Sequence, residues 1–242
     1  MAKLELFSTW LDVIQLVPGL WDKSTVSFAV VNKSQILQAI KGVDNEIKSQ
    51  LRNVYSTLLT TPWYKPPISD GENDNNESYI SPILTIEKFA ITEVLTLKFI
   101  TPVAPAVNAF TVTGDISGVL TAGSTANDYI IANVITIPKE AWIGTFEIGD
   151  QFYISLFASD PLINNISSRL AAAEILDSIM TAQVPNSTDV IEKYRSYAND
   201  RIEQLKDKQA YLLADPITIN LDPESVPYNI DSLGHDITEY AE

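Results

Sequence analysis

The 242-residue sequence contains no cysteine and a single histidine, His235. Without thiols there is no disulfide staple, no thiolate nucleophile and no cysteine-ligated metal or iron–sulfur site. With one histidine, set in an acidic tail, the usual Ser–His–Asp and Cys–His arrangements lack their base, and His235 reads as a solvated residue. Motifs of the G-x-S-x-G, P-loop, G-x-G-x-x-G and H-E-x-x-H types are absent as well. Carboxylates alone could serve a hydrolase, but the 31 acidic residues form no positional pattern that selects a pair. No catalytic residue and no cofactor are expected, and the chain reads as non-enzymatic.

Basic residues are scarce, 16 against 31 acidic ones, for a net charge of -15. Such a field repels phosphate backbones and does not gather the contacts that release counterions. It serves solubility first; a sharper reading is a surface over which DNA passes without sticking. Long apolar runs are also missing. Leu4 to Leu20 is broken by Asp12 and Gln15 and lacks the flanks of a signal peptide, and no later run approaches the roughly 18 apolar residues of a membrane span. No membrane partner is expected. With 45% apolar and 19% charged residues, the chain nevertheless has enough to build a core.

From Asn32 to Leu58, Ile36, Ile40, Val43, Ile47, Leu51, Val54 and Leu58 recur at spacings of three and four, one apolar stripe on a long helix. Asn32 and Gln35 form a capping pair at its start and Pro62 lies past its end. A shorter helix is expected over Ser8 to Val17, closed by Pro18-Gly19. Residues 63–82, with Pro66-Pro67 and the polar run Ser69 to Glu77, read as an exposed connection. Between Ile83 and Ala158 the period changes: Leu95-Thr96-Leu97-Lys98-Phe99 alternates, and further strands are expected at Phe110–Val112, Tyr129–Ile137 and Trp142–Ile148, punctuated by glycines. Helical signals return at Asp160-Pro161, first in a segment apolar nearly all round (Ile166 to Met180), then in an amphipathic one ending near Leu213 with Glu192/Arg195 and Glu203/Lys206 at pairing distance.

The expected fold is therefore α+β: a helical bundle core of three or four helices, an inserted small antiparallel β-sandwich or barrel, and an extended C-terminal tail. The corresponding segments are 1–62 (helical core, first part), 63–82 (linker), 83–158 (β insertion), 159–214 (helical core, second part) and 215–242 (acidic tail). In the tail, Ile217, Ile219 and Leu221 are short apolar anchors, expected to be where it would meet a partner.

Two further groups admit a binding reading. Asp70, Glu72, Asp74 and Asn76 superficially resemble a calcium loop, but position six is Asn75 instead of Gly and position twelve is Ser81 instead of Glu, so a polar loop is the better reading. Trp142, Phe146, Phe152 and Tyr153 could form a sugar-stacking platform, making the insertion a carbohydrate- or surface-binding module. Alternation, however, pairs Phe146 with Ile148 and Phe152 with Ile154 on buried faces, which favours a core.

Three segments together carry a family likeness: Ile36-Leu37-Gln38-Ala39-Ile40-Lys41-Gly42-Val43-Asp44-Asn45-Glu46-Ile47 continuing to Tyr55, Ile166 to Leu176 with its three alanines, and Tyr194-Arg195-Ser196-Tyr197-Ala198. The pattern resembles the head-to-tail adaptor (connector, neck) family of tailed bacteriophages, of the Mu-like type, with a β insertion that its compact members lack. That resemblance implies a structural virion protein forming a ring, commonly twelve-fold, docked under the portal protein and passing the DNA channel to a stopper or tail-terminator protein. It also implies assembly in the host cytoplasm, a final place in the virion neck, and no cofactor.

Overall fold

The computed structural model describes residues 6–17, 31–55, 57–69, 78–103, 107–180, 187–210 and 212. Among the described residues, four α-helices and several antiparallel sheets make it an α+β protein. Helix α1 spans Trp10–Leu16 and opens on a capping box in which Thr9 and Asp12 each satisfy the other's backbone N–H. Helix α2, Lys33–Leu51, opens on a second such box between Asn32 and Gln35, as the sequence suggested. It stops earlier than the apolar stripe implies. Val54 and Tyr55 both donate to the Leu51 carbonyl, closing the helix in a turn, and Leu58 reaches the core from extended chain.

The strands are β1 Leu59–Tyr64, β2 Ile68–Ser69, β3 Tyr79–Ile80, β4 Thr85–Ile86, β5 Glu93–Val103, β6 Val107–Gly114, β7 Gly118–Val119, β8 Gly123–Ser124, β9 Tyr129–Ile131, β10 Ile135–Ile137, β11 Trp142–Ile143 and β12 Gln151–Ser159. The main sheet runs β1-β12-β5-β6-β7, with β2 added to β12 and β8 to β6; β4-β10-β9 and β11-β3 are separate small sheets. Among the described residues no barrel closes, because the main sheet begins on β1 and ends on β7. Three strands lie inside the stretch expected to be a polar connection: Trp63 and Tyr64 end β1, and β2 and β3 follow. The segment expected as one strand over Tyr129–Ile137 is a hairpin, turned at Asn133 in the left-handed region (φ 64°). Trp142–Ile148 is a strand only to Ile143.

Helix α3, Pro161–Met180, begins where the Asp160 carboxylate accepts from the Leu162 N–H (2.8 Å), and α4 covers Ser187–Lys206. Two apolar clusters form. The first gathers Ile36, Ile40, Ile47 and Leu51 of α2, Trp10 and Ile14 of α1, the alanines Ala171–Ala173 of α3 and Ile202 of α4, and it takes in Val94 of β5 and Tyr153 of β12. The second lies across the sheet: Leu95, Leu97 and Phe99 of β5, Phe110 and Val112 of β6, Phe152, Ile154 and Leu156 of β12, roofed by Tyr129, Ile135 and Ile137. The period of two is the reason, since neighbouring residues of β5 and β12 point to opposite clusters. Gly123 is required where it stands, because a Cβ there would lie 2.5 Å from Tyr129 and 2.6 Å from Phe110.

Candidate functional site

A cluster of buried polar groups is centred on the segment Phe7–Asp12, which is hydrogen-bonded to α2, α3 and the end of β12. Asp44, on the buried side of α2 and 1% exposed, accepts from the Phe7 N–H (2.8 Å) and from Ser167 Oγ of α3 (2.5 Å). Ser167 Oγ in turn lies 2.7 Å from Ser8 Oγ. Burial pushes the Asp44 carboxyl up to about 7, against the pull of the Ser167 and Phe7 hydrogen bonds and of the nearby Lys48 charge. The Phe7 carbonyl accepts from Ser159 Oγ (2.6 Å) at the end of β12 and from Asn164 Nδ2 (3.1 Å).

Asp12 is the second hub. One of its oxygens caps α1 through Thr9 N and Thr9 Oγ1 and also accepts from Asn164 Nδ2, while the other pairs with Lys65 beyond β1. Asp115, in the turn after β6, is the third. It accepts from Trp10 Nε1 (2.6 Å) and pairs with Lys33 at the start of α2; its carboxyl is raised by burial despite both partners. Trp10 also packs edge-on against Tyr153, with ring centroids 5.5 Å apart.

Each carboxylate in this seam is engaged by partners fixed from other elements, and their joint effect is to tie the N-terminal segment to both α3 and the sheet. The chemistry is cohesive. Buried groups that are satisfied in this way hold a geometry and present nothing to a reactant. No group of three or more metal-ligating side chains occurs among the described residues.

The residues singled out from the sequence fare differently. Phe146 and Phe152 are core: Phe146 stacks on Phe99 at 4.4 Å, Phe152 meets Phe99 edge-on, and Trp142 packs against Phe110 at 4.8 Å. Tyr153 is buried against Trp10. The aromatics therefore form no sugar-stacking platform, and the carbohydrate-binding alternative is corrected on that ground. Ile148, expected to be buried with Phe146, is 64% exposed, because the chain leaves the strand at Gly144. The acidic loop 70–77, His235 and the tail anchors Ile217, Ile219 and Leu221 lie outside the described residues. Sequence reasoning passed over Asp12 and Asp44. Asp12 stood out only as an interruption of an apolar stretch and Asp44 only as part of a helix motif; a lone acid beside the apolar stripe of α2 was the signal available.

Two surface grooves border this seam. One, of about 400 Å³, lies at the end of α2, lined by Phe7, Lys48, Leu51, Arg52, Tyr55 and the stretch Thr57–Leu59. The other, of about 220 Å³, runs between Leu6, the start of β1 and residues 88–92.

No protein-family model and no curated protein sequence matches the chain. Among solved structures, two crystal forms of FlgL from Xanthomonas campestris align with TM-scores of 0.29, at 13% and 10% identity, over 65% and 68% of this chain and 47% and 56% of theirs. Flagellar hook-associated protein-3 from Legionella pneumophila aligns with a TM-score of 0.22 at 10% identity, over 82% of this chain and 80% of that one. The chain thus spans about half the length of the two FlgL structures.

At these scores the likeness assigns this chain neither a family nor a function. These neighbours are flagellar hook-associated proteins; no family model supports the phage head-to-tail adaptor reading, and it is corrected, together with its twelve-fold ring, its portal and stopper partners and its place in the virion neck. The physical reason is visible in the three segments that carried the resemblance. Ile36, Ile40, Ile47, Ala171–Ala173 and Ala198 all bury in the shared helical cluster, so the motif records ordinary helix packing.

Proposed function

We propose that this chain is a non-enzymatic structural protein that acts through protein–protein contact, with the strands between Leu59 and Ser159 as the face it offers to other subunits. On this reading the chain divides into two parts: a helical bundle, made from residues on either side of the strands and locked by the Asp12–Asp44–Asp115 seam, and a β part carried by it.

The observation that carries the reading is where the large exposed apolar side chains fall. Of those among the described residues, only Val190 lies on a helix; the rest, including Ile68, Tyr79, Ile100, Val119, Ile130 and Ile148, belong to the β part. Tyr79 and Ile143 are direct cross-strand partners on β3 and β11, so these two exposed side chains stand next to each other. Contiguous exposed apolar surface marks contact sites, and the β part is where such side chains concentrate.

Chemical cross-linking with mass spectrometry in cells of the source organism tests the proposal. Lys88, Lys98 and Lys139, all exposed on the β part, should link to other protein chains. Links confined to this chain itself would sink the reading.

A further inference from the structure

We propose that Arg169 and Arg201 form a carboxylate-binding site across α3 and α4, and that its occupant is this chain's own acidic C-terminal segment, through Asp222 and Glu224. Both guanidinium groups sit over one ring, that of Tyr197: Arg169 at 4.5 Å from its centroid and Arg201 at 5.4 Å. All three side chains are half-buried. Arg169 also lies 5.5 Å from the Tyr194 ring, which is fixed by a hydrogen bond from its hydroxyl to the Leu16 carbonyl (2.9 Å). Each arginine spends one nitrogen on a neutral amide. Arg169 Nε donates to Asn165 Oδ1 (2.9 Å), and Arg201 Nη1 donates to Gln204 Oε1 (2.6 Å). Among the described residues neither guanidinium makes an ion pair, whereas Lys33, Lys65, Arg195 and Lys206 all meet carboxylates. Two like charges that share a ring repel each other, and their remaining N–H donors are forks shaped for carboxylate oxygens.

Charge and reach select the occupant. From Leu213 to Glu242 the sequence has seven carboxylate side chains and no lysine or arginine, so this stretch carries −7 of the net −15 and the rest of the chain −8. A separate acidic partner would meet that like-signed field, whereas a tethered segment is held near the site by its own chain. Arg201 stands five residues before the end of α4 at Lys206, about 8 Å back along the helix. The described chain ends at Leu212, and the ten residues from there to Asp222 span up to about 33 Å when extended, enough to return to the site. Pro223 fixes its own φ and biases Asp222 towards extended backbone, which spaces Asp222 and Glu224 about 6–7 Å apart along the chain. That spacing suits one carboxylate for each of two guanidinium groups on a common ring. Docking there would fasten the C-terminal segment over the α3–α4 pair. This inference is independent of the role given to the β part.

The chain's only arginines are Arg52, Arg169, Arg195 and Arg201, so their side-chain Nε–H signals can be assigned in an NMR spectrum of the full chain with single lysine variants. Neutralising the segment in D222N/E224Q should shift the signals of Arg169 and Arg201 and leave those of Arg52 and Arg195 in place. If the first two do not move, the proposal is overturned. A shift confined to Arg52 or Arg195 overturns it as well, since the segment then rests elsewhere. A second measurement uses the cysteine-free background. A nitroxide on full-length S225C should take most of the amide intensity from residues 194–201 and little from Lys98 and Lys139 on the β part, and D222N/E224Q in the same chain should restore it. Equal loss at both places, or loss that persists in D222N/E224Q, overturns the proposal. So does the same loss passed from a nitroxide-bearing chain to a separate, isotope-labelled chain without one, which would name a second copy as the occupant.

Discussion

Asp44 offers a direct measure of how the buried seam is held. Its carboxyl is raised from 3.8 to about 7 by burial, so near neutral pH the folded state holds a proton that the unfolded chain releases. The sign follows from linkage: a group with a raised folded pKa contributes stability that is full below about 3.8 and is lost as pH rises through about 7. Between pH 5 and pH 8 this one group should therefore cost the wild type about 3 kcal/mol of stability, since a tenfold change in proton affinity is worth about 1.4 kcal/mol. For a chain of this size that corresponds to roughly 5–10 °C in melting temperature.

The substitution D44N removes the titration while keeping an oxygen for the Phe7 N–H, and the Ser167 hydroxyl can rotate to accept from the new amide. Thermal melts of both proteins from pH 5 to pH 8 should show curves that converge at the acid end and separate at the alkaline end, with D44N the more stable at pH 8. Asp115, whose carboxyl is also raised, acts in the same direction but is common to both proteins and drops out of the difference. Parallel pH profiles for the two proteins would refute the account.

Other substitutions probe the same architecture. D12A leaves Thr9 N and Lys65 without this acceptor and Asn164 Nδ2 with only the Phe7 carbonyl, and urea unfolding should report a loss of about 2–4 kcal/mol, the Lys65 share being small because that side chain is 38% exposed. F99A empties the centre of the aromatic cluster and should cost about 3–5 kcal/mol by the same assay. The two glycines give opposite signs. G42A, where a Cβ meets nothing within 4 Å in mid-α2, should stabilise by about 0.5–1 kcal/mol, whereas G123A, driven into Tyr129 and Phe110, should destabilise by about 1–3 kcal/mol.

The helices were legible because their signals are local. The Asn32–Gln35 and Asp160-Pro161 starts act within a few residues, and an apolar stripe repeats down α2. Short strands were not, because β2 and β3 exist only through partners supplied by β12 and β11, far along the chain. The pairing expected between Glu192 and Arg195 is likewise overridden: Arg195 reaches across to Glu174 and Asp177 of α3, while Glu203 and Lys206 do pair, at 2.7 Å. The seam was illegible for a related reason. Asp12, Asp44 and Asp115 are ordinary acids in sequence and become a group only when α3 and the turn after β6 close on the first helix.

The same long-range wiring has a consequence for synthesis. Phe7 and Ser8 are made well before their partners Ser159, Asn164 and Ser167, which come some 150 residues later. Between the end of α2 at Leu51 and the start of α3 at Pro161 lie roughly 110 residues, which a ribosome takes about 5–20 s to add. Through that interval the stripe Ile36–Ile40–Ile47 has no α3 to cover it, while the hairpin of β5 and β6 can already pair with itself. The strands are thus the part of the nascent chain able to fold early, and the helices on either side must wait for each other.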